Sequence, residues 1–107
     1  MKKILFICSH NKLRSPTAEA VFSTQPDWDV RSAGLKNDAE VPLGHDDIEW
    51  ADYIFVMENV HKKKLQDKFR QVLNKQKVIC LGIPDNYEYM DDELVRILKN
   101  KVPHLVK

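Results

Sequence analysis

No apolar run in the sequence is long enough to cross a bilayer, and the first residues lack the apolar core of a secretory leader. Both absences make the cytoplasm the expected compartment. An excess of either charge is also missing: 17 Lys plus Arg stand against 16 Asp plus Glu, for a formal net charge of +1. So even a balance exerts no global pull toward nucleic acid or an anionic membrane, and neither is expected as a partner. Repeats, linkers and low-complexity tracts are absent. The 107 residues suffice for one domain, spanning 1–107, and not for two. A domain of this size buries roughly two-thirds of its unfolded surface and needs no staples. Cysteine is scarce, with only Cys8 and Cys80, far apart in sequence. In a cytosolic chain that pattern points to a catalytic thiol rather than a disulfide. His45, His61 and His104 share no spacing that suggests a metal site, and no cofactor is expected.

What is present is organised around Cys8-Ser9-His10-Asn11-Lys12-Leu13-Arg14-Ser15-Pro16. The apolar run Ile4-Leu5-Phe6-Ile7 before it reads as a buried strand. Ser15 followed by Pro16 reads as a helix start, with a hydroxyl at the cap and a pre-set φ at the first helical position, and the helix runs to about Ser23. A loop between a strand end and a helix start collects free backbone N–H groups and the positive end of a helix dipole, which suits a bound oxyanion. Closing this loop into a cradle would set the Cys8 thiol under a phosphate, with the backbone from Ser9 to Ser15 around it and the Arg14 guanidinium against two of its oxygens.

The rest of the chain alternates strands and helices. Trp28 to Ala33 reads as a strand ended by Gly34, residues 35–45 as a polar loop, and Asp46 to Trp50 as a helical turn. Tyr53 to Met57 is a strand, followed by a helix that Asn59 can cap, with Val60, Leu65, Phe69, Val72 and Leu73 near helical spacing. Val78 to Leu81 is a fourth strand, and a last helix starts near Asp91 with acidic residues in its first turn and Lys99 and Lys101 in its last. This order implies an α/β fold in three layers: a four-stranded parallel sheet flanked by helices, joined by right-handed crossovers, with the cradle after strand one. In such sheets the site lies at the carboxyl ends of the strands. Cys8, Ser32 to Gly34, Glu58 and Asp85 all fall at or just beyond such ends, and the cradle argues for strand one in the centre.

A thiol becomes a good nucleophile only when ionised. The helix N-terminus, Arg14 and a hydrogen bond from Ser15 would all favour the thiolate, and the same donors would bind a phosphate dianion. Attack by Cys8 on phosphorus gives a phospho-cysteine, one displacement split into two. The leaving oxygen then needs a proton, and Asp85 is the candidate general acid. Asn11 reads as a loop-shaping residue that tolerates left-handed geometry. His10 and Lys12 read as exposed loop side chains, Lys62 to Lys64 as a solvated helix face, and Cys80 as a small hydrophobe in a strand. Tyr87 and Tyr89 either pack or line a slot for an aromatic ring.

These residues resemble the low-molecular-weight protein tyrosine phosphatases. The likeness runs from Cys8 to Ser15, with Asn11, Arg14 and Ser15 in place, through Pro16, Ala18 and Glu19. It continues through Ser32-Ala33-Gly34, Ala51-Asp52-Tyr53-Ile54 and Val56-Met57, and ends with Ile83-Pro84-Asp85 and Tyr87. The resemblance implies a cysteinyl-phosphate mechanism without metal, acting on phosphotyrosine protein or a small aryl phosphate, by a monomer or weak dimer. It implies Cys8 as nucleophile, Arg14 on the phosphoryl group, Asp85 as acid, Asn11, Ser15 and Ser32 in support, and Tyr87 in the substrate wall. Three departures stand out. Leu13 replaces a second loop cysteine found in many relatives, Asn86 follows the acid in place of proline, and the stretch between Gly34 and Asp52, which helps wall the cleft in the family, is short. The competing readings are an arsenate reductase of the same fold, which needs further cysteines as a relay, and a phospho-binding module without turnover.

Overall fold

The computed structural model describes residues 1–106. Four strands, β1 (Lys2–Cys8), β2 (Trp28–Gly34), β3 (Tyr53–Val56) and β4 (Lys77–Cys80), form one sheet in the order β2-β1-β3-β4. Every neighbouring pair is parallel, with Cys8 opposite Gly34, Ile7 opposite Val56 and Val56 opposite Cys80. β1 is therefore central, as the cradle required. Its continuous apolar run is explained by burial on both faces. Ile4, Phe6 and Cys8 face one layer, where Phe22 of α1 (Arg14–Phe22) and Leu94, Leu98 and Val102 of α4 (Asp92–Leu105) close the core. Phe6 stacks there on Phe22 and Phe55, with centroids 5.8 and 5.5 Å away. Leu5 and Ile7 face the opposite layer, against Ile48 of α2 (His45–Trp50) and Leu65 and Phe69 of α3 (Asn59–Phe69).

Several boundaries differ from the sequence reading, each for a local reason. α1 begins at Arg14, not Pro16, and Leu13 occupies the cap position without a side-chain cap bond. Ser15 does not cap because its hydroxyl is turned to Cys8 and Asn11. Pro16 is tolerated within the first turn, where backbone N–H groups have no helical partner to lose. In α3 the cap position is Glu58 and Asn59 is already helical. The buried stripe is His61, Leu65 and Phe69, a spacing of four, while Val60 is exposed and Val72 and Leu73 pack beyond the helix end. Asp91 does cap α4, accepting the Glu93 N–H at 2.9 Å. That helix continues through Pro103 to Leu105, past the Lys99 and Lys101 turn.

The segment between Gly34 and Gly44 is less polar in practice than in composition, because Leu35 and Ala39 are buried. Its backbone is laced to the cradle: Leu35, Lys36 and Glu40 donate their N–H groups to the carbonyls of Cys8, Ser9 and His10 at 3.0, 3.0 and 3.1 Å. Gly34 is the pivot. A β-carbon there would lie 2.5 Å from Ala39 Cβ, 2.7 Å from the Ser9 carbonyl oxygen and 3.0 Å from the Asn11 nitrogen. Two of those neighbours are backbone, so they yield only if the cradle moves. Gly34→Ala is therefore expected to cost about 1–3 kcal/mol of stability by overpacking. Thermal unfolding checks that value, and a variant as stable as the wild type would contradict the close approach.

Candidate active site

Cys8 closes β1 with its side chain nearly buried, and its Sγ lies 2.9 Å from Ser15 Oγ. The chain then turns through Asn11, whose φ of 56° is left-handed, a conformation that asparagine accepts more readily than most residues. This turn sends the Asn11 side chain under the loop. Its Nδ2 donates to Ser15 Oγ at 2.9 Å and to Ser32 Oγ at 3.0 Å, and Ser32 in turn donates to Glu19 Oε1. The direction of each bond follows from the inventory of protons. Glu19 takes the Ser32 proton and Asn11 supplies the two acceptor hydroxyls. The Ser15 proton is thus left for the Cys8 sulfur, the donor a thiolate needs.

Arg14 opens α1 and is buried. A buried guanidinium must be partnered. Nη1 donates to Glu58 Oε2 at 2.6 Å and to the Ile83 carbonyl at 2.8 Å. Nε faces Asp85 Oδ1 across 3.8 Å, too far for a hydrogen bond. The Nε–Nη2 edge is the side that can take two oxygens of a phosphate in parallel. Asp85 itself is exposed, on the loop after β4.

These groups surround a cavity of about 170 Å³ lined by Cys8, Ser9, His10, Lys12, Leu13, Arg14 and Asp85. Of the residues expected around the phosphate, Asn11 and Ser15 lie beneath the loop as supports and do not line it, and Ser32 supports from β2. Tyr87, expected in the substrate wall, is half-buried against the core and does not line the cavity. Nor does any residue of 35–51, because that short segment is spent on backing the cradle. A larger depression, about 620 Å³, lies beside Tyr53 and Lys77 at the starts of β3 and β4, the sheet edge opposite the thiol.

Three residues were not singled out from sequence as site residues. Glu58 anchors Arg14, Glu19 terminates the chain of hydroxyls, and His61 contacts Ser9. The spacing of four from His61 to Leu65 and Phe69 was the available signal that His61 points inward. Burial, then the Arg14 charge, lower the His61 pKa from 6.5.

The sequence profile of the low molecular weight phosphotyrosine protein phosphatases matches residues 3–47. The structure overlays on a low molecular weight protein tyrosine phosphatase from Streptococcus pyogenes with a TM-score of 0.78 and 19% identity, covering 100% of this chain and 95% of that one. It has the low-molecular-weight phosphatase fold. The YwlE arginine phosphatase from Geobacillus stearothermophilus is similar at a TM-score of 0.76 and 21% identity, over 98% of this chain and 93% of that one. A Drosophila arginine phosphatase is similar at 0.76 and 22%, over 100% and 99%. No curated protein matches the sequence.

Within this low-molecular-weight phosphatase fold, Cys8 and Cys80 cannot meet. β3 lies between their strands, which puts β1 and β4 about 10 Å apart, beyond the roughly 7 Å that a disulfide spans. Their side chains also belong to cores on opposite faces of the sheet. With Leu13 in the loop, mild peroxide should carry Cys8 to sulfenic acid and onward with no internal disulfide to stop it. Mass spectrometry of oxidised protein checks this, and a reducible Cys8–Cys80 peptide pair would refute it.

Proposed function

We propose that the protein is a cysteine-dependent phosphomonoester hydrolase, and that its substrates are aryl phosphates, phosphotyrosine in proteins above all. The observation that carries this reading is the convergence of the Cys8 sulfur, hydrogen-bonded to Ser15, the Nε–Nη2 edge of Arg14 and the Asp85 carboxyl on one small cavity. In the first step the Cys8 thiolate attacks phosphorus. The S–P bond forms, the P–O bond to the leaving group breaks, and the Asp85 proton passes to the leaving oxygen. In the second, water attacks phosphorus and gives a proton to the Asp85 carboxylate. The S–P bond breaks and inorganic phosphate leaves. Arg14 holds the phosphoryl oxygens throughout.

The names of two similar structures raise phosphoarginine as a substrate. Lys12, one of the lining residues, weighs against it here, since its positive charge would repel the guanidinium of such a substrate. An aryl ring meets no such repulsion. Arsenate reduction loses its relay, because Cys80 lies across the sheet from Cys8. Phosphate release from a phosphotyrosine peptide in the presence of EDTA, with a phosphoarginine peptide alongside, tests the reading. Turnover of the first well above the second is expected. Release from neither would overturn the hydrolase reading, and a preference for phosphoarginine would overturn the substrate.

A further inference from the structure

His61 is 1% exposed, and the chemistry above makes no use of it. Both of its ring nitrogens are engaged. Nδ1 accepts the backbone N–H of Glu58 at 3.1 Å, and Nε2 lies 3.0 Å from Ser9 Oγ. A ring nitrogen that accepts must keep its lone pair, so the proton of the neutral imidazole is on Nε2. Nε2–H therefore donates to the Ser9 hydroxyl, which keeps its own proton to give elsewhere. Among the described residues Ser9 Oγ has no other hydrogen-bond partner, and Ser9 lines the cavity beside Cys8 and Arg14.

We propose that His61 is a positioning residue: as the Nε2–H tautomer it holds the Ser9 hydroxyl with its proton turned toward the anion in the cradle, making Ser9 a side-chain donor to the phosphoryl group. The proposal rests on the phosphatase reading and adds to it a donor and the residue that aims it. The same ring grips the backbone of Glu58, whose carboxylate anchors Arg14, so one imidazole braces both sides of the cavity.

Only the neutral ring can do this. A charged ring carries a proton on Nδ1, which would then face the Glu58 N–H donor. The surroundings oppose that state on balance. Burial weighs most, Arg14 of α1 and Lys64 of α3 add to it, and Glu58 and Asp85 act the other way.

Two measurements test the assignment. Nitrogen-15 spectra of the histidine rings at pH 7 should show His61 with a bare Nδ1 and a protonated Nε2, and its signal should move as inorganic phosphate is added. Phosphate affinity, read as protection of Cys8 from iodoacetate, should then fall about tenfold in Ser9→Ala and be retained in Ser9→Thr, which keeps the hydroxyl. His61→Ala should lower affinity much more in the wild-type background than in the Ser9→Ala background, where only its hold on Glu58 is left to lose. Equal losses in both backgrounds would mean that His61 acts through general structure, and would overturn the proposal. So would a charged or Nδ1–H ring at pH 7, which needs no variant to detect. If the wild type binds phosphate and hydrolyses an aryl phosphate while Ser9→Ala binds as tightly, this inference alone fails. If the wild type does neither, the phosphatase reading fails and this inference with it.

Discussion

Cys8→Ser should abolish phosphate release from every ester while leaving the cradle able to bind inorganic phosphate. The two outcomes separate because the groups that bind and the group that attacks are different. Binding rests on the backbone around Asn11 and on the guanidinium of Arg14, which Glu58 and the Ile83 carbonyl hold in place without help from the thiol. Attack rests on sulfur being ionised. A serine hydroxyl at the same position keeps its proton at neutral pH, and among the described residues no general base is in contact with position 8 to take that proton. The Ser15 hydroxyl, whose proton is directed at position 8, donates and does not accept from it. Phosphate titrations followed by NMR, beside an assay of phosphate release, check both halves. In the wild type, iodoacetate should label Cys8 selectively near neutral pH, and phosphate or vanadate should block it. Appreciable turnover by Cys8→Ser would remove Cys8 from the role of nucleophile. Loss of phosphate binding would mean that the sulfur is part of the anion site itself. The same variant, if it binds but does not turn over, can retain phosphoproteins and so report which ones the cavity accepts.

The parts of this site that were legible in the sequence are those built from contiguous residues. β1, the loop and the start of α1 lie within Lys2 to Phe22, so the order strand, thiol, loop, guanidinium could be read directly. Asp85 was reachable because the alternation of strands and helices places every loop after a strand on one edge. The positive φ at Asn11 followed from residue type. Contacts that depend on how separate elements dock were not legible. Glu58 read only as the end of a strand, and nothing local shows that its carboxylate meets Arg14, 44 residues away. Glu19 sat within a recognisable run, yet its link to Ser32 arises from the packing of α1 against β2. The apparent cap at Ser15 misled because one hydroxyl had two local uses, and tertiary structure chose the sulfur. For Tyr87 the sequence left two destinations open, packing or the slot, and its ring packs against the core that α4 helps close. The short stretch after Gly34 was visible as a deletion. Its consequence was not: once shortened, the segment serves as backing for the cradle and contributes no residue to the cavity lining.

The last expectation concerns the acid. Asp85 is exposed and faces the same guanidinium that would hold the phosphoryl group. General acid help matters in proportion to how basic the leaving oxygen is. Phenyl phosphate expels a basic phenoxide, so Asp85→Asn should slow its hydrolysis by about 10²–10⁴-fold. An ester of a strongly acidic phenol leaves as a stable anion and should be slowed far less. Apparent affinity should change little in either case, since Asparagine at position 85 alters no donor that holds the phosphoryl oxygens. Arg14→Ala provides the contrast. Its guanidinium acts on the phosphoryl group common to both esters, so both should fall by a similar factor, and phosphate binding with them. A plot of rate against the acidity of the leaving phenol should accordingly be steep for Asp85→Asn and nearly parallel to the wild type for Arg14→Ala. Were Asp85→Asn to reduce both esters equally, or neither, the proton would have to come from another carboxylate of the same loop. Glu88, Asp91 and Asp92 are the groups to substitute next, and Asp91 is the least suited of them, because its side chain already accepts the Glu93 N–H in the first turn of α4, which it caps.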